Sequence, residues 1–323
     1  MDLVTFGEAM VRLTPPGSQR IEQARSFDVY VGGSELNVSV AAARMGIGTT
    51  WLSRLPSNAL GRMIAGRARE QGVDVSRVAW TDDEDDRAGL YFVELGAAPR
   101  PSSVLYDRTG SAMSRVRPGT IDWAAAFDGA RWFHTSGITP ALSESAAAAV
   151  GESLVAAKQA GLTVSYDLNY RAKLWSPDKA RTVQEPFMRH VDVLFASADT
   201  ARHVFGIGEA DRLHERLGIG TIAMTVRECP RVSLNTWSAS VFCEGVVHRA
   251  PTYEVEVVDG VGAGDAFAAG LIAARLRTAD WDTTVREATA LSALQHTVPG
   301  DFIQSTRTEV EQLLEGESLR ISR

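Results

Sequence analysis

Near residue 260 the chain reads Val257-Val258-Asp259-Gly260-Val261-Gly262-Ala263-Gly264-Asp265, followed by Ala266-Phe267-Ala268-Ala269-Gly270. A β-like run ends in a glycine-rich turn and a helix begins there. The first N–H groups of a helix have no intrahelical partner, so they bind anions, and glycines let a phosphate come close. A carboxylate in the first turn is also a favourable cap or dipole partner. Asp265 therefore carries two readings: a helix cap, or a general base that takes a proton from a hydroxyl while the N–H groups stabilise a transferred phosphoryl group.

A second glycine pair, Gly32-Gly33, opens Ser34-Glu35-Leu36-Asn37-Val38 in the same way. It is either an ordinary loop-to-helix junction or a site for the hydroxyls of a small polar ligand. Asp167-Leu168-Asn169-Tyr170-Arg171 closes a predicted strand, and ligands of open parallel sheets bind at that edge. Arg171 could fork onto a carboxylate or phosphate, and Asp167 or Asn169 could order a metal or nucleotide; a surface salt bridge is the plain alternative. Arg108, in Leu105-Tyr106-Asp107-Arg108, has the same two readings.

Other chemistries lack their markers. The chain has no H-E-x-x-H and no G-x-S-x-G, and only Lys158, Lys173 and Lys179 are lysines, none placed for a phosphate loop. His134 and His296 read as structural histidines. Cys229 and Cys243 lack zinc-site spacing; two buried thiols are expected rather than a hairpin disulfide. The acidic run 82–86 reads as a solvated turn.

The elements that must position these residues alternate. Strands are expected at Asp2–Gly7, Thr49–Arg54, Trp132–Thr135, Thr163–Asp167, Val193–Ala196 and Thr221–Thr225. Helices are expected at Ser34–Arg44, Asn58–Gln71, Glu144–Ala160, Pro177–Arg189, Thr200–Phe205, Ala210–Leu217, Ala263–Arg275, Trp281–His296 and Arg307–Leu314. Such alternation implies a mostly parallel sheet with helices on both faces. Two stretches break it, 9–31 and 88–108, where valine and aromatic residues interleave with polar ones; these read as antiparallel strands of a small sheet across the main one.

With 323 residues and 45% hydrophobic content the chain can bury a large core. Thirty-three basic against 40 acidic residues give a net charge of -7, which argues against nucleic acid or a membrane surface as partner. No apolar run is long enough to span a bilayer. The N-terminus shows no secretory signal, so a cytoplasmic setting is expected.

Taken together, Gly32-Gly33-x-x-x-Asn37 and Gly262-Ala263-Gly264-Asp265 resemble the two signatures of the ribokinase-like (PfkB) carbohydrate kinases. Within that family the chain resembles the 2-keto-3-deoxygluconate kinases. The supporting strings are Gly32–Asn37, His134–Leu142, Asp167–Arg171 with Leu174-Trp175, and Val298-Pro299-Gly300-Asp301. The resemblance implies one ribokinase-like kinase domain over 1–323, a three-layer α/β/α body with a mostly parallel central sheet. A small β-sheet lid would be formed by inserts at about 9–31 and 88–115. It also implies ATP-dependent phosphorylation of 2-keto-3-deoxygluconate to its 6-phosphate, with Mg2+ accompanying ATP. Asp265 would be the catalytic base, and Gly262, Ala263 and Gly264 the anion hole. Gly33, Asn37, Tyr91, Tyr106, Arg108, Ile138, Arg171 and Asp301 would surround the sugar acid, with the two arginines meeting its negative charge. Asn169, Ser197, Thr225, Arg227, Gly262 and Gly264 would face the nucleotide.

Two positions depart from the family pattern. The stretch matching its Asn-x-x-Glu motif reads Ser197-Ala198-Asp199-Thr200, with neither residue kept, which leaves the metal ligands unassigned and Asp199 as a candidate contributor through water. The nucleotide turn Thr-x-Gly-x-x-Gly reads Thr225-Val226-Arg227-Glu228-Cys229-Pro230-Arg231, so either Arg227 takes over contacts with the phosphates or nucleotide affinity and preference differ. Alternatives are a 2-keto-3-deoxygalactonate kinase, a fructokinase, or a silent sugar-binding relative. Exposed lid strands suggest a homo-oligomer.

Overall fold

The structure, a computed structural model, describes residues 1–316. The unbroken apolar run Leu3–Phe6 is buried strand β1. It is followed by β2 (Met10–Thr14), β3 (Asp28–Gly32), helix α1 (Ser34–Arg44), β4 (Thr49–Leu52), β5 (Arg54–Pro56), α2 (Ala59–Glu70), β6 (Ala79–Thr81), β7 (Leu90–Glu94) and β8 (Ser103–Asp107). The centre alternates through α3 (Trp123–Phe127), β9 (Trp132–Ser136), α4 (Ile138–Ala141), α5 (Glu144–Gln159), β10 (Thr163–Asp167), α6 (Pro177–Gln184), β11 (Val193–Ser197), α7 (Ala198–Phe205), α8 (Ala210–Leu217) and β12 (Thr221–Arg231). Strands β13 (Leu234–Cys243), β14 (Val246–Arg249) and β15 (Tyr253–Glu256) precede helices α9 (Ala263–Leu276), α10 (Trp281–Gln295) and α11 (Arg307–Glu315).

The main sheet runs β14-β13-β12-β11-β10-β9-β1-β4, with β15 also on β13. From β4 to β12 every pairing is parallel; β13 pairs antiparallel with β12, β14 and β15. One face is covered by α5, α7 and α8, whose Val150, Leu154, Val204 and Leu213 meet Leu194 and Ile222 of the sheet. The other is covered by α1, α9 and α10 through Val38, Phe267, Leu271, Val285 and Leu291. The expected α/β/α layering is therefore observed. Because β1 is flanked by β4 on one side and β9 on the other, the chain direction across the sheet reverses at β1, and the loops after β1, β9 and β10 splay apart at their carboxyl ends. That is where a crevice must open.

A separate four-stranded sheet, β3-β2-β7-β8, forms the lid. Its strands were expected to be antiparallel throughout, but β2 and β7 run parallel. The long excursion from β3 through α1 to β6 brings the second arm back in the direction of the first. The 3₁₀ turn at 113–115 belongs to the body, where Met113 packs in the main core.

Four further details differ from expectation. The helix over Pro177–Arg189 stops at Gln184 and continues as a 3₁₀ turn, since Pro186 cannot donate to the helix ladder. Strand β12 runs on to Arg231 because β13 pairs with it beyond the sheet body. Cys229, on that projecting hairpin, is exposed and only Cys243 is buried; neither is bonded. The acidic turn is not wholly solvated: Asp86 is buried against Arg54.

Candidate active site

A cleft of about 470 Å³ lies at the carboxyl ends of β1 and β9–β12, roofed by the lid. Its floor is the start of α9. Gly262 caps that helix with φ 83, a left-handed conformation natural to glycine, and a Cβ there would lie 2.5 Å from the Asp301 carbonyl oxygen. Gly264 has no such internal reason: a Cβ on it would meet nothing within 4 Å, and it faces the cleft. The space its missing side chain leaves lies over the unpaired N–H groups of the first turn, the shape an approaching anion needs.

Asp265 stands in that turn, oriented by the facing helix. Ser34 Oγ donates to Asp265 Oδ1 and Asn37 Nδ2 to Oδ2, each at 2.7 Å. Asn169 Nδ2 donates in turn to Ser34 Oγ at 2.8 Å, so the β10 loop steadies the donor. Gly33 allows α1 to start so close, since a Cβ there would lie 2.1 Å from the Glu8 carbonyl oxygen. Withdrawal from solvent raises the Asp265 pKa, while the bonds from Asn37 and Ser34 and the charge of Arg171 oppose the rise. Burial, with the Asp265 charge adding to it, lifts neighbouring Asp167 to about 7. A carboxylate held by two donors, with its basicity increased, beside free N–H groups can accept a hydroxyl proton while charge on a phosphoryl group is stabilised.

The structure brings nearly all the expected residues to this one cleft: Gly33, Asn37, Tyr91, Tyr106, Arg108 and Ile138, then Asn169, Arg171, Ser197, Thr225 and the turn 262–265, with Asp301. Several have other immediate partners than expected. Asn37 donates to Asp265 rather than standing free for a ligand. Arg108 is committed to Glu8, whose other oxygen accepts from Ser111. Asp301 accepts from Tyr91 and from Arg12. Arg171, by contrast, is exposed and, among the described residues, pairs with no carboxylate. Arg227 lies outside the cleft wall, on the exposed part of β12, because the strand continues where a turn was expected.

The stretch 197–200 also turns away from metal binding. Ser197 caps α7, its Oγ accepting from Thr200 N at 3.1 Å, and Asp199 is solvated against Arg202. Among the described residues no group of three His, Cys, Asp or Glu side chains could hold a metal ion. The histidines are structural: His134 Nδ1 meets Ser165 Oγ at 2.8 Å, and burial depresses its pKa to about 3.

Sequence reasoning missed Arg12, Asp259, Glu8 and Ser34. An arginine in the apolar run Met10-Val11-Arg12-Leu13 was the available signal for the first. Lys173 donates to the Val104 carbonyl and sits 5.8 Å from the Tyr106 ring, tying the β10 loop to the lid.

The chain matches the pfkB family of carbohydrate kinases over residues 1–307. It is 40% identical to the 2-dehydro-3-deoxygalactonokinase of Haloferax volcanii, covering 100% of this chain and 99% of that one. It is 33% identical to the 2-dehydro-3-deoxygluconokinase of Thermoproteus tenax, covering 97% and 94%. The crystal structure of the 2-dehydro-3-deoxygluconokinase of Thermotoga maritima superposes with a TM-score of 0.94 at 42% identity, over 98% of each chain. Matched by the family over residues 1–307 and by relatives along its length, the chain belongs to the pfkB family of carbohydrate kinases and is an ATP-dependent sugar kinase.

Proposed function

We propose that the substrate is a 2-keto-3-deoxy sugar acid, phosphorylated on its terminal hydroxyl. The observation that carries this is Arg171: an uncommitted guanidinium at the cleft, close enough to Asp265 for its charge to act on it. A neutral ketose has nothing for it to bind; a carboxylate does. The names of the relatives agree in substrate class but divide between the galactonate and gluconate epimers. The gluconate acid alone is therefore too narrow a reading, and either epimer is proposed. One hydroxyl configuration is all that separates them.

In the reaction, the substrate hydroxyl loses its proton to Asp265 as its oxygen attacks the γ-phosphorus. The bond to the β-phosphate oxygen breaks and ADP leaves. The N–H groups of Ala263, Gly264 and Asp265 receive the charge of the phosphoryl group in flight. Ser197 and Thr225 border the nucleotide side. Magnesium would supply charge neutralisation at the transferred phosphate, and Asp167, which lines the cleft, is the carboxylate of this chain that would help hold it. Arg227 serves the nucleotide only from outside the cleft.

A second copy of the chain is proposed to cover the outer face of the lid, where Val29 and Leu105 stand exposed on β3 and β8. A monomer in sedimentation at working concentration would remove that part. Both thiols are free, which suits a cytoplasmic setting, and no described helix is long and apolar enough to cross a membrane.

The test is a coupled assay with ATP, magnesium, both 2-keto-3-deoxy acids and fructose. Turnover on one or both acids, with little on fructose, is expected. Good turnover on fructose and none on the acids would overturn the reading.

A further inference from the structure

Arg12 is among the largest wholly buried side chains of the protein, and the reaction above does not use it. It sits on lid strand β2, yet its guanidinium ends inside the body. Nη1 donates to Asp301 Oδ2 at 2.9 Å, Nη2 to Asp259 Oδ2, and Nε to Thr14 Oγ1 at 2.8 Å. Its carbon lies 5.2 Å from the Tyr30 ring centre of β3. The two carboxylates are themselves buried, 1% and 4% exposed, and come from different loops.

Those loops shape the phosphate cradle. Asp259 opens the glycine turn: its Oδ1 accepts from Val261 N and its Oδ2 from Gly300 N, each at 3.1 Å. Asp301 packs its carbonyl against Gly262, the cap of α9. Gln295 completes the bracket, its Nε2 donating to Val261 O at 3.0 Å and Gly300 O at 2.9 Å. On the lid side Asp301 also accepts from Tyr91 of β7, which borders the sugar end of the cleft. A single cation thus joins the sheet that roofs the sugar to both loops that set the first turn of α9. Without it two buried carboxylates would face each other unneutralised, and the loops would have no reason to stay together.

We propose that Arg12 is a positioning residue which couples seating of the lid over the sugar to assembly of the phosphate cradle. The proposal rests on the reading of Asp265 and residues 262–264 as the transfer centre. Sugar and nucleotide then each favour the same arrangement, and each tightens binding of the other; such linkage is reciprocal.

The test uses the full chain with whichever sugar the wild type phosphorylates, so a wrong substrate assignment shows in the wild type and a wrong role for Arg12 only in the variants. Affinity for a non-hydrolysable ATP analogue is measured by calorimetry with and without saturating sugar. Arg12→Met keeps the bulk but not the charge; Arg12→Lys keeps the charge but not the fork. In the wild type, sugar is expected to tighten the analogue by roughly 5-fold or more. In Arg12→Met that ratio falls towards one and kcat drops by about 10²-fold, with Arg12→Lys intermediate. In Arg12→Ala, guanidinium ion restores kcat where equal sodium chloride does not. Arg87→Met, which breaks the exposed lid pair with Asp107, serves as a control with unchanged coupling. If Arg12→Met does not fold, Arg12→Lys supplies the same ratio. A folded variant whose coupling ratio and kcat stay within twofold of wild type overturns the proposal, as does a wild-type ratio of one.

Discussion

The two sides of the cleft handle charge in opposite ways. On the lid side the two buried arginines have partners in the protein: Arg12 holds Asp259 and Asp301, and Arg108 holds Glu8. On the sheet side Arg171 pairs with none of the described carboxylates, while Asp167 and Asp265 stand close enough to raise a pKa. Buried charge is costly unless neutralised, so the paired set builds the wall. The unpaired set keeps its interactions for a ligand. Residue type alone does not separate these roles; an arginine belongs to the frame or to the chemistry according to whether a carboxylate already faces it.

The comparison breaks most visibly at Asp265. Asp265→Asn is expected to lower kcat by about 10²-fold or more, with the sugar KM little changed; a near-wild-type rate in a single-turnover assay would remove the base role. Next is the contrast between the two arginines. Arg108→Met leaves Glu8 buried without its counter-ion and should cost about 3 kcal/mol in denaturant unfolding, whereas Arg171→Met should cost less than about 0.5 kcal/mol. Binding should show the reverse emphasis. Arg171→Met removes a charge-assisted contact of about 1.5–3 kcal/mol, raising the sugar-acid KM roughly 10-fold or more while the KM for ATP holds. Equal stability losses, or an unchanged KM, would erase the distinction.

The pH profile gives a smaller effect. Asp265 must be ionised to act as base, and its pKa is raised, so kcat/KM should fall on the acid side at a pH above the ordinary aspartate range. Arg171→Met removes a cation that lowers this pKa and should move the limb up. Stability carries its own signature. Glu35 and Asp167 are lifted to about 7 and Asp301 to about 6, chiefly by burial. The folded state therefore holds these protons more tightly than the unfolded chain. Their contribution is present below the ordinary carboxylate pKa and is lost as pH rises towards 7. Glu35→Gln should flatten that slope in melting experiments. Smallest of all, Asp199→Ala should leave turnover within about twofold, since its carboxylate is solvated against Arg202.

Much of this was legible in the chain. The turn 262–265 and the start of α1 carry their function in local backbone geometry, which glycine spacing reports directly. The parallel strands carry it in continuous apolar runs. What was not legible involves partners far apart in sequence. Arg12 and Asp301 are separated by 289 positions, and Glu8 and Arg108 by 100; no spacing rule connects them. The parallel β2–β7 pairing and the extension of β12 failed for the same reason, because a strand's direction and length depend on the neighbour that supplies its hydrogen bonds.

The sequence by itself determined where glycines open two helix starts, where Asp265 stands in the first turn of one of them, and that a layered α/β body would carry them. Local propensity and hydrophobic period suffice for that. Only the tertiary structure decided which charged groups are already neutralised. Asn37 donates to Asp265, Arg108 and Arg12 are held by carboxylates, and Arg171 has none among the described residues. Pairing energy depends on distance and burial in space, and neither is a property of a residue's place in the chain.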